Sequence, residues 1–554
     1  MDLSPRVRAV CDLDVSEARE FAGRHEYDGK PQDLSPAGVR AGLARLEEAR
    51  SGSGPLPDPH DEAHLSAAEE LKRVTFARLE LHRKNPLFHL GELDLSCYDR
   101  DYAPQQERDA ARAEHLAAWP QAADAAVESL DQVNAPVAEA LLGGIRGLAA
   151  GLTAGTSGGP GEETLAAARA AHARLVAHVE RAAAQGDPDP ALGGPALAAL
   201  MGGAEALPVD LGRLAEQADA ERDRLHALLA DWCARIDAAP GSPGTRPALE
   251  VARELVRDHP DGGGVIESAR IWTERVIAFT RDHDLVPYHD GVCLVGPAPE
   301  SRRWATAMLS WAAPGEPDGP SWYHITPPDE SWPQRDQEEW LEMFSHATLP
   351  GITAHEVAPG HFSHGRALRH VTSEVRRTLQ SSAFIEGWAH YGEELCVEEG
   401  FGADDPRIPI GVWLEALVRV TRLACAIGVH TAGMTIDDAA AGSRPTPTCP
   451  GPRRCPRPGG PPLTRPTAGT PGASWRSSSC ANGPGRTGAP ASPCSVSTRR
   501  CSTSAPRRSA CSPPPSTGAD RANGPGPGDP SGTPGGMGAG SPHAGGLGVL
   551  PQLR

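Results

Sequence analysis

The chain contains 554 residues, of which 39% are hydrophobic, and its formal net charge is −19. Residues 1–440 carry 40 Lys and Arg against 70 Asp and Glu, whereas residues 441–554 carry 13 Arg, no Lys and two Asp. Because nucleic-acid binding depends on basic residues that neutralise phosphates, the acidic body argues against a nucleic-acid partner and favours a peptide or another small substrate.

The N-terminal segment lacks the apolar stretch of a secretory signal, and no run of about 18 apolar residues occurs along the chain. We therefore expect a cytoplasmic protein that has no membrane partner. The six cysteines of residues 1–440 are scattered and lack CxxC pairing, which favours single thiols over a disulfide framework.

Residues 35–230 are rich in Ala, Leu, Glu and Arg at helical spacing, which predicts a bundle of helices. Between residues 286 and 327, Pro and Gly interrupt short apolar runs, a pattern typical of a few strands or of a long loop over a cleft. Helical spacing then resumes and continues to residue 441. We predict a mainly α fold with a few short strands, divided into a helical N-terminal region at 1–260 and a catalytic region at 261–440.

The composition changes abruptly after residue 440. Residues 441–554 contain no Phe, Tyr, Ile, Lys or Glu and are rich in Pro, Gly, Ser and Arg. Such a composition cannot bury enough apolar surface to offset the entropy of ordering the chain. We predict a low-complexity, disordered tail, which is either a natural basic segment or the product of a frameshift in a GC-rich gene.

The frameshift hypothesis can be examined by translating the tail in another frame. With suitable codons, ASWRSSSCANG at residues 473–483 becomes GKLEILKLRER when translation starts one base earlier, and this product has the pattern of an amphipathic helix. Two neighbouring segments of the tail also give globular-looking sequence in that frame. Codon degeneracy makes any one match weak evidence, but three matches in one frame favour a frameshift near residues 441–443.

The motif HEVAPGHF, which begins at His355, resembles the start of a zinc-binding helix. A gluzincin-type site uses two imidazoles, a carboxylate and a Glu that accepts a proton from water. His355 and His361 are six residues apart, so an ideal helix would place them about 240° apart, on different faces. Pro359 cannot donate a backbone hydrogen bond and Gly360 tolerates unusual dihedral angles, so we predict a kink or bulge that returns His361 to His355. His364 is the competing ligand.

A second motif, EGWAHYGEE, begins at Glu386. Glu386, His390 and Glu393 share a face of the predicted helix at spacings of four and seven residues. The segment around Glu386 is apolar, and a buried carboxylate needs a partner such as a metal ion. Glu386 is therefore the predicted third ligand, while His390 is an alternative member that would support the ligands from outside.

These two motifs, together with RLACAIGVH at residues 422–430, resemble the bacterial family known as domain of unknown function 885 (DUF885). Its members look like zinc metallopeptidases of mainly helical fold, with the pattern HExxPGH, then EGWAxYxE, then R-L-x-x-x-x-G-x-H. The resemblance implies a zinc ion held by His355, His361 and Glu386, with Glu356 as general base.

The chain departs from the family pattern in places. The family usually has an apolar residue at the position of His390 and an Asp at the position of Ala426. The family also continues beyond the third motif into a helix like GKLEILKLR, which the shifted frame restores. The chain as written thus lacks part of the catalytic domain that the resemblance implies.

We expect a zinc-dependent peptidase in a gluzincin-like helical fold with a central cleft, acting on short peptides. Glu356 would take the proton of a zinc-activated water, and Tyr391 and His430 are candidate donors to the transition state. Two alternatives stay open. One is a metal hydrolase that acts on a non-peptide amide or ester, and the other is a catalytically inactive helical scaffold.

Sequencing the gene independently across codons 441–443 tests the frameshift. We expect an inserted or missing base there, because the other frame extends the helical pattern beyond residue 443. If an independent read confirms the present frame, the tail is a natural basic segment and the hypothesis is wrong.

Overall fold

The computed structural model describes residues 3–153, 161–238, 246–316 and 318–443, apart from the side chains of residues 441–443. Helices dominate this part of the chain and a small sheet interrupts them, which confirms the predicted mainly α fold with a few short strands. Residues from 444 onward lie outside the described part, so the disorder and frameshift hypotheses stay predictions.

The elements before the sheet are all helical. The α-helices are α1 Pro5–Cys11, α2 Val15–Phe21, α3 Pro36–Ser51, α4 Pro59–Lys72, α5 Leu87–Leu93, α6 Gln105–Ser129, α7 Ala135–Gly147, α8 Glu162–Gln185, α9 Gly194–Gly203, α10 Leu211–Asp237, α11 Ala248–Val256 and α12 Val265–Asp282. A π-helical segment, Arg73–Arg78, continues α4, and short 3₁₀ turns lie at His25–Tyr27, Leu81–Arg83, Ser96–Asp99 and Leu148–Gly151.

The sheet and a second group of helices follow. They are β1 Cys293–Pro297, β2 Ala307–Ser310, β3 Ser321–Ile325, α13 Gln334–Leu341, α14 Leu349–Glu356, α15 His361–Leu368, α16 Glu374–Thr378, α17 Ser382–Glu398, α18 Arg407–Ala432 and α19 Ile436–Ser443. Further 3₁₀ turns occupy Glu300–Arg302 and Glu342–Phe344.

Several helix ends follow from local chemistry. The side chain of Ser35 caps α3 by accepting a hydrogen bond from the backbone of Gly38, and Asp210 caps α10 by accepting from the backbones of Gly212 and Arg213. Gly433 ends α18 in the left-handed conformation, with φ of 68°, which glycine adopts without steric cost.

The sheet has the strand order β1-β3-β2, with β1 parallel and β2 antiparallel to β3. Val295 and Leu309 lie opposite Tyr323 on either side, and all three are buried in one cluster with Phe344 and Ala354. Since Ala354 belongs to α14, this face of the sheet supports the helix that ends at His355 and Glu356.

The helices of the N-terminal region pack directly on those of the catalytic region. Leu225 and Leu229 of α10 share a core with Trp413 and Leu417 of α18. The long helix α18 is therefore held in place by a helix that lies far earlier in the chain. The boundary near residue 260 stays a prediction.

Buried ion pairs connect the N-terminal segment to residues around the sheet. Arg302 pairs with Glu20 at 2.6 Å and with Asp94 at 2.5 Å. Arg100 pairs with Glu316 at 3.3 Å, and both side chains are almost fully buried. These pairs fix the sheet segment relative to the first helices, because separating them would leave unpaired buried charges.

His25 adds a titratable contact to this connection. Its Nε2 atom lies 3.3 Å from Glu316 and its Nδ1 atom 3.3 Å from Asp28, while its ring stacks on Tyr102 at a centroid distance of 4.2 Å. Burial lowers the pKa of His25, but the two carboxylates outweigh burial and raise it to about 9. The surroundings of His25 thus stabilise its protonated form, the imidazolium.

None of the helices in the described part of the chain is both long and apolar enough to cross a membrane.

The stability of the fold should decrease at alkaline pH. Because the folded pKa of His25 is raised from 6.5 to about 9, its contribution is complete below pH 6.5 and is lost as the pH rises through about 9. Thermal unfolding should show that the wild type loses more stability than His25→Gln when the pH is raised from about 6 to about 10. We expect a difference on the order of 1 kcal/mol, because solvent screens this partly exposed ring. Equal losses in both proteins would contradict a stabilising role for the imidazolium.

Candidate metal centre

The helix that carries His355 ends immediately after Glu356. Val357 leaves the helical conformation, with φ of −108° and ψ of −88°, and the next helix begins at His361. The sequence predicted a kink or bulge within one helix, whereas the structure has a complete break at residues 357–360. Pro359 has no backbone N–H with which to continue the helix.

Gly360 folds the chain tightly back at this break. Its backbone amide donates to the carbonyl of Ala354 at 3.1 Å. A Cβ atom on Gly360 would lie 1.8 Å from the carbonyl oxygen of His355, a distance that no side chain can occupy. The glycine thereby brings the rings of His355 and His361 to a centroid distance of 4.7 Å, at 82° to each other.

Helix α17 is seated against the same break. The indole Nε1 of Trp388 donates to the carbonyl of Pro359 at 2.8 Å. Gly392 lies one turn further along, and a Cβ atom there would be 3.1 Å from the Pro359 ring. These two contacts set the position of α17, and with it that of Glu386.

Glu386 faces both histidines. Its carboxylate oxygens lie 3.5 Å from Nε2 of His355 and 3.9 Å from Nε2 of His361. One ligand atom from each of the three residues falls within 4.8 Å of the others. The structure therefore brings together the three side chains that the sequence predicted as metal ligands.

The residues of this cluster fit a zinc ion by their chemistry. Two imidazoles and one carboxylate form a common ligand set of catalytic zinc sites, in which a further position stays open. Both histidines are buried, while the side chain of Glu386 is 37% exposed, so the cluster is open to solvent on one side. Next to the ligands, Oε2 of the buried Glu356 has no hydrogen-bond partner.

Glu393 orients the first histidine. It is fully buried, and Nδ1 of His355 donates to its carboxylate at 2.7 Å. The second oxygen of Glu393 accepts a hydrogen bond from Arg419 of α18 at 2.9 Å. With its Nδ1 proton held by Glu393, His355 presents Nε2 to the centre, as histidine ligands with a carboxylate partner do.

The sequence interpretation missed part of this arrangement. It placed Glu393 on the same helical face as Glu386 but gave it no role, although a buried acid seven residues after a ligand is a signal. Arg419 was not recognised, because nothing in the spacing of α18 indicates which of its residues meets α17.

The charges of the centre are strongly coupled. Burial lowers the pKa of His355, but Glu386 and Glu393 outweigh burial and raise it to about 10. Burial lowers the pKa of His361 to about 3. Burial would raise the pKa of Glu386, yet the two histidines hold it at about 2. The carboxylates thus favour a positive charge among them, which is a proton on His355 here and which a metal ion could replace.

Glu356 differs from the other carboxylates. Its side chain is buried beside His355, and burial raises its pKa to about 7. A carboxylate with a pKa near neutrality is suited to accept and return a proton.

The structure leaves the two alternative ligands outside the cluster. The ring of His364 packs between Trp311, at a centroid distance of 5.4 Å, and Phe384, at 5.3 Å. His390 lies 3.9 Å from Glu393, behind the ligands. The supporting role of His390 stays a prediction.

The two predicted transition-state donors are not brought to the cluster. Tyr391 is 46% exposed, and its nearest aromatic contact is Trp388, at a centroid distance of 6.3 Å. His430 accepts a hydrogen bond from the backbone of Leu192 at 3.1 Å. His430 also follows Arg419 by eleven residues, which is about 16 Å along a helix.

Fold and site together define a mainly helical protein with a His-His-Glu cluster at a break between two helices. The family described as "Bacterial protein of unknown function (DUF885)" matches residues 17–443, and the chain belongs to this family. The match ends where the composition of the chain changes. None of the curated proteins matches the chain significantly.

Two solved structures share the fold. One is "The structure of a putative lipoprotein of unknown function from Shewanella oneidensis", with 19% identity, a TM-score of 0.58 and coverage of 79% of this chain and 84% of that chain. The other is "The crystal structure of the putative lipoprotein from Colwellia psychrerythraea", with 13% identity, a TM-score of 0.60 and the same coverage of 79% and 84%. At these identities the likeness concerns the fold alone.

Replacing Gly360 with alanine should disrupt the break. The new Cβ atom would collide with the carbonyl oxygen of His355, 1.8 Å away, so the break would have to rearrange. We expect a loss of about 3 kcal/mol in the free energy of unfolding, measured by chemical denaturation.

Gly143→Ala is the matched control, because Gly143 lies within α7 and a Cβ atom there meets nothing within 4 Å. This control should be neutral or stabilise by up to about 1 kcal/mol. Similar changes in the free energy of unfolding for Gly360→Ala and Gly143→Ala would show that the break does not depend on Gly360.

Proposed function

We propose that the chain is a zinc-dependent peptidase that hydrolyses peptide bonds of short peptides. The observation that carries this proposal is the convergence of His355, His361 and Glu386 within 4.8 Å beside the buried carboxylate of Glu356. Two imidazoles, one carboxylate and a neighbouring free carboxylate are the groups that metal-assisted hydrolysis needs.

When bound, a zinc ion supplies a Lewis acid that polarises the scissile carbonyl and makes water more acidic. Glu356 accepts the proton of the attacking water and then delivers it to the leaving amine. Its buried carboxylate, whose Oε2 atom has no hydrogen-bond partner, supports both steps, since that oxygen is free to take up and return a proton. The position of Glu356 beside the ligands favours it over Tyr391 and His430 as the proton donor.

Arg419 balances the charges of the site. Glu356, Glu386 and Glu393 bring three negative charges to a partly buried region, and Arg419 brings one positive charge through its contact with Glu393. Glu415 and Arg422, both within electrostatic range of Arg419, add one charge of each sign, so a dication leaves the region neutral. This balance supports a doubly charged ion as the cofactor, because an uncompensated buried charge is costly.

A metal hydrolase acting on a non-peptide amide or ester would use the same groups. A panel of short peptides and small amides, tested with the same zinc-loaded protein, separates the two. The acidic body of the chain supports neither nucleic acid nor an anionic membrane surface as a partner. The cytoplasmic location stays a prediction.

Two substitutions test the proposed chemistry. Glu356→Gln keeps the size of the side chain but removes the base, so turnover of short peptides should fall by about 10²–10⁴-fold while zinc stays bound. Glu386→Gln should instead lose stoichiometric zinc, because one charged ligand is replaced by a neutral amide. Metal analysis of the purified proteins and peptide cleavage assays provide the two measurements.

Glu399→Gln is the control, since Glu399 is exposed at the end of α17, and it should match the wild type in both measurements. Full activity of Glu356→Gln would exclude Glu356 as the base. A wild-type chain without stoichiometric zinc would favour the inactive scaffold.

A further inference from the structure

Helix α15 carries a buried arginine that the proposed chemistry does not use. Arg366 is fully buried, and one of its terminal nitrogens donates to the hydroxyl of Ser321 at 2.8 Å. Its Nε and its other terminal nitrogen have no hydrogen-bond partner, and no carboxylate of the described residues lies within 4 Å of it. A buried guanidinium without a counter-charge destabilises the fold. Binding of an anion would offset this cost.

The surroundings of Arg366 strengthen the positive charge. The guanidinium lies over the ring of Phe362, 4.9 Å from its centroid, which supports a cation without neutralising it. Arg369 follows one turn later on the same helix. Arg369 donates to the backbone carbonyl of Glu316 at 2.8 Å and pairs with the half-exposed Asp290 at 3.8 Å. The unpartnered N–H groups of Arg366, with a second arginine beside them, therefore form a basic site.

A short loop of residues 286–292 covers this basic site. Gly291 has a φ of +92° and packs so closely that a Cβ atom there would lie 2.4 Å from a terminal nitrogen of Arg366. Tyr288 stacks on His370 just beyond α15, at a centroid distance of 3.6 Å. Between its anchored ends, the buried Val286 and the Val292 carbonyl that accepts from the Ser321 backbone at 2.9 Å, the loop is held by this ring stack and by the 3.8 Å pair of Asp290 with Arg369.

The basic site is close to the candidate metal centre. Arg366 follows the ligand His361 by five residues, which is a rise of about 7.5 Å along α15 and a rotation of about 140° round its axis. The thiol of Cys293 in β1 lies within electrostatic range of both Arg366 and Glu356. An extended peptide advances about 3.3–3.6 Å per residue. One or two residues therefore span the separation along the helix.

We propose that Arg366, with Arg369 beside it, binds the free α-carboxylate of the peptide substrate and makes the enzyme a carboxy-terminal exopeptidase that removes one or two residues. This inference rests on the proposed peptidase function. The unpartnered N–H groups of Arg366 donate charge-assisted hydrogen bonds to the carboxylate. The loop of residues 286–292 moves aside as the carboxylate enters, because Gly291 covers the guanidinium.

Binding of a matched peptide pair tests the inference without turnover. The full-length, zinc-loaded Glu356→Gln protein is titrated calorimetrically with one short peptide as the free acid and as the carboxy-terminal amide. We expect the free acid to bind at least ten-fold more tightly. Adding Arg366→Met should abolish that difference, whereas Arg146→Met, at an exposed arginine of α7, should preserve it.

A stability measurement separates ligand binding from a structural role. Since Arg366 is buried without a counter-charge, Arg366→Met should leave the melting temperature unchanged or raise it. A lower melting temperature with unchanged preference for the free acid would assign Arg366 a structural role and overturn the inference.

The failure of this inference can be told apart from the failure of the proposed function. A zinc-loaded wild-type protein that cleaves free-acid and amidated peptides equally well would overturn the inference and leave the peptidase intact. A protein that holds no zinc and binds neither peptide would overturn both.

Discussion

The approach of Gly360 to the carbonyl of His355 is the contact on which the candidate centre depends. It reverses the chain within residues 357–360 and places the second imidazole beside the first. The carbonyl of Pro359, exposed by the same break, accepts the indole N–H of Trp388 and so positions α17. One Pro-Gly pair therefore determines both the distance between the histidines and the position of Glu386 relative to them.

The centre is also an electrostatic unit. Glu393 and Arg419 form a buried ion pair, and such pairs usually cost about as much in desolvation as they gain in attraction. The pair serves to orient His355, because the Glu393 carboxylate fixes the tautomer and the ring plane of that histidine. The fully buried Glu393 gains a counter-charge from a third helix. The helices α14, α17 and α18 must therefore all be in place for the ligands to face one another.

Much of this could be predicted from the sequence. The helical spacing, the broken HE-PGH spacing and the EGW motif were sufficient to predict the mainly α fold and the convergence of His355, His361 and Glu386. The position of Tyr391 was not predictable, since periodicity assigns a residue to a helical face but does not say whether that face meets solvent or a neighbouring helix. Arg419 was missed for the same reason, and the full break at Val357 depends on a backbone conformation that spacing does not reveal.

The packing of α10 on α18 has a consequence for biosynthesis. Helix α18, which carries Arg419, packs on a helix that leaves the ribosome almost two hundred residues before it, and the candidate ligands come from segments between the two. The contacts between α10 and α18 join residues that are distant in sequence. The contacts that position the candidate ligands thus form only after α18 has been synthesised, and the apolar face of α10 stays exposed until then.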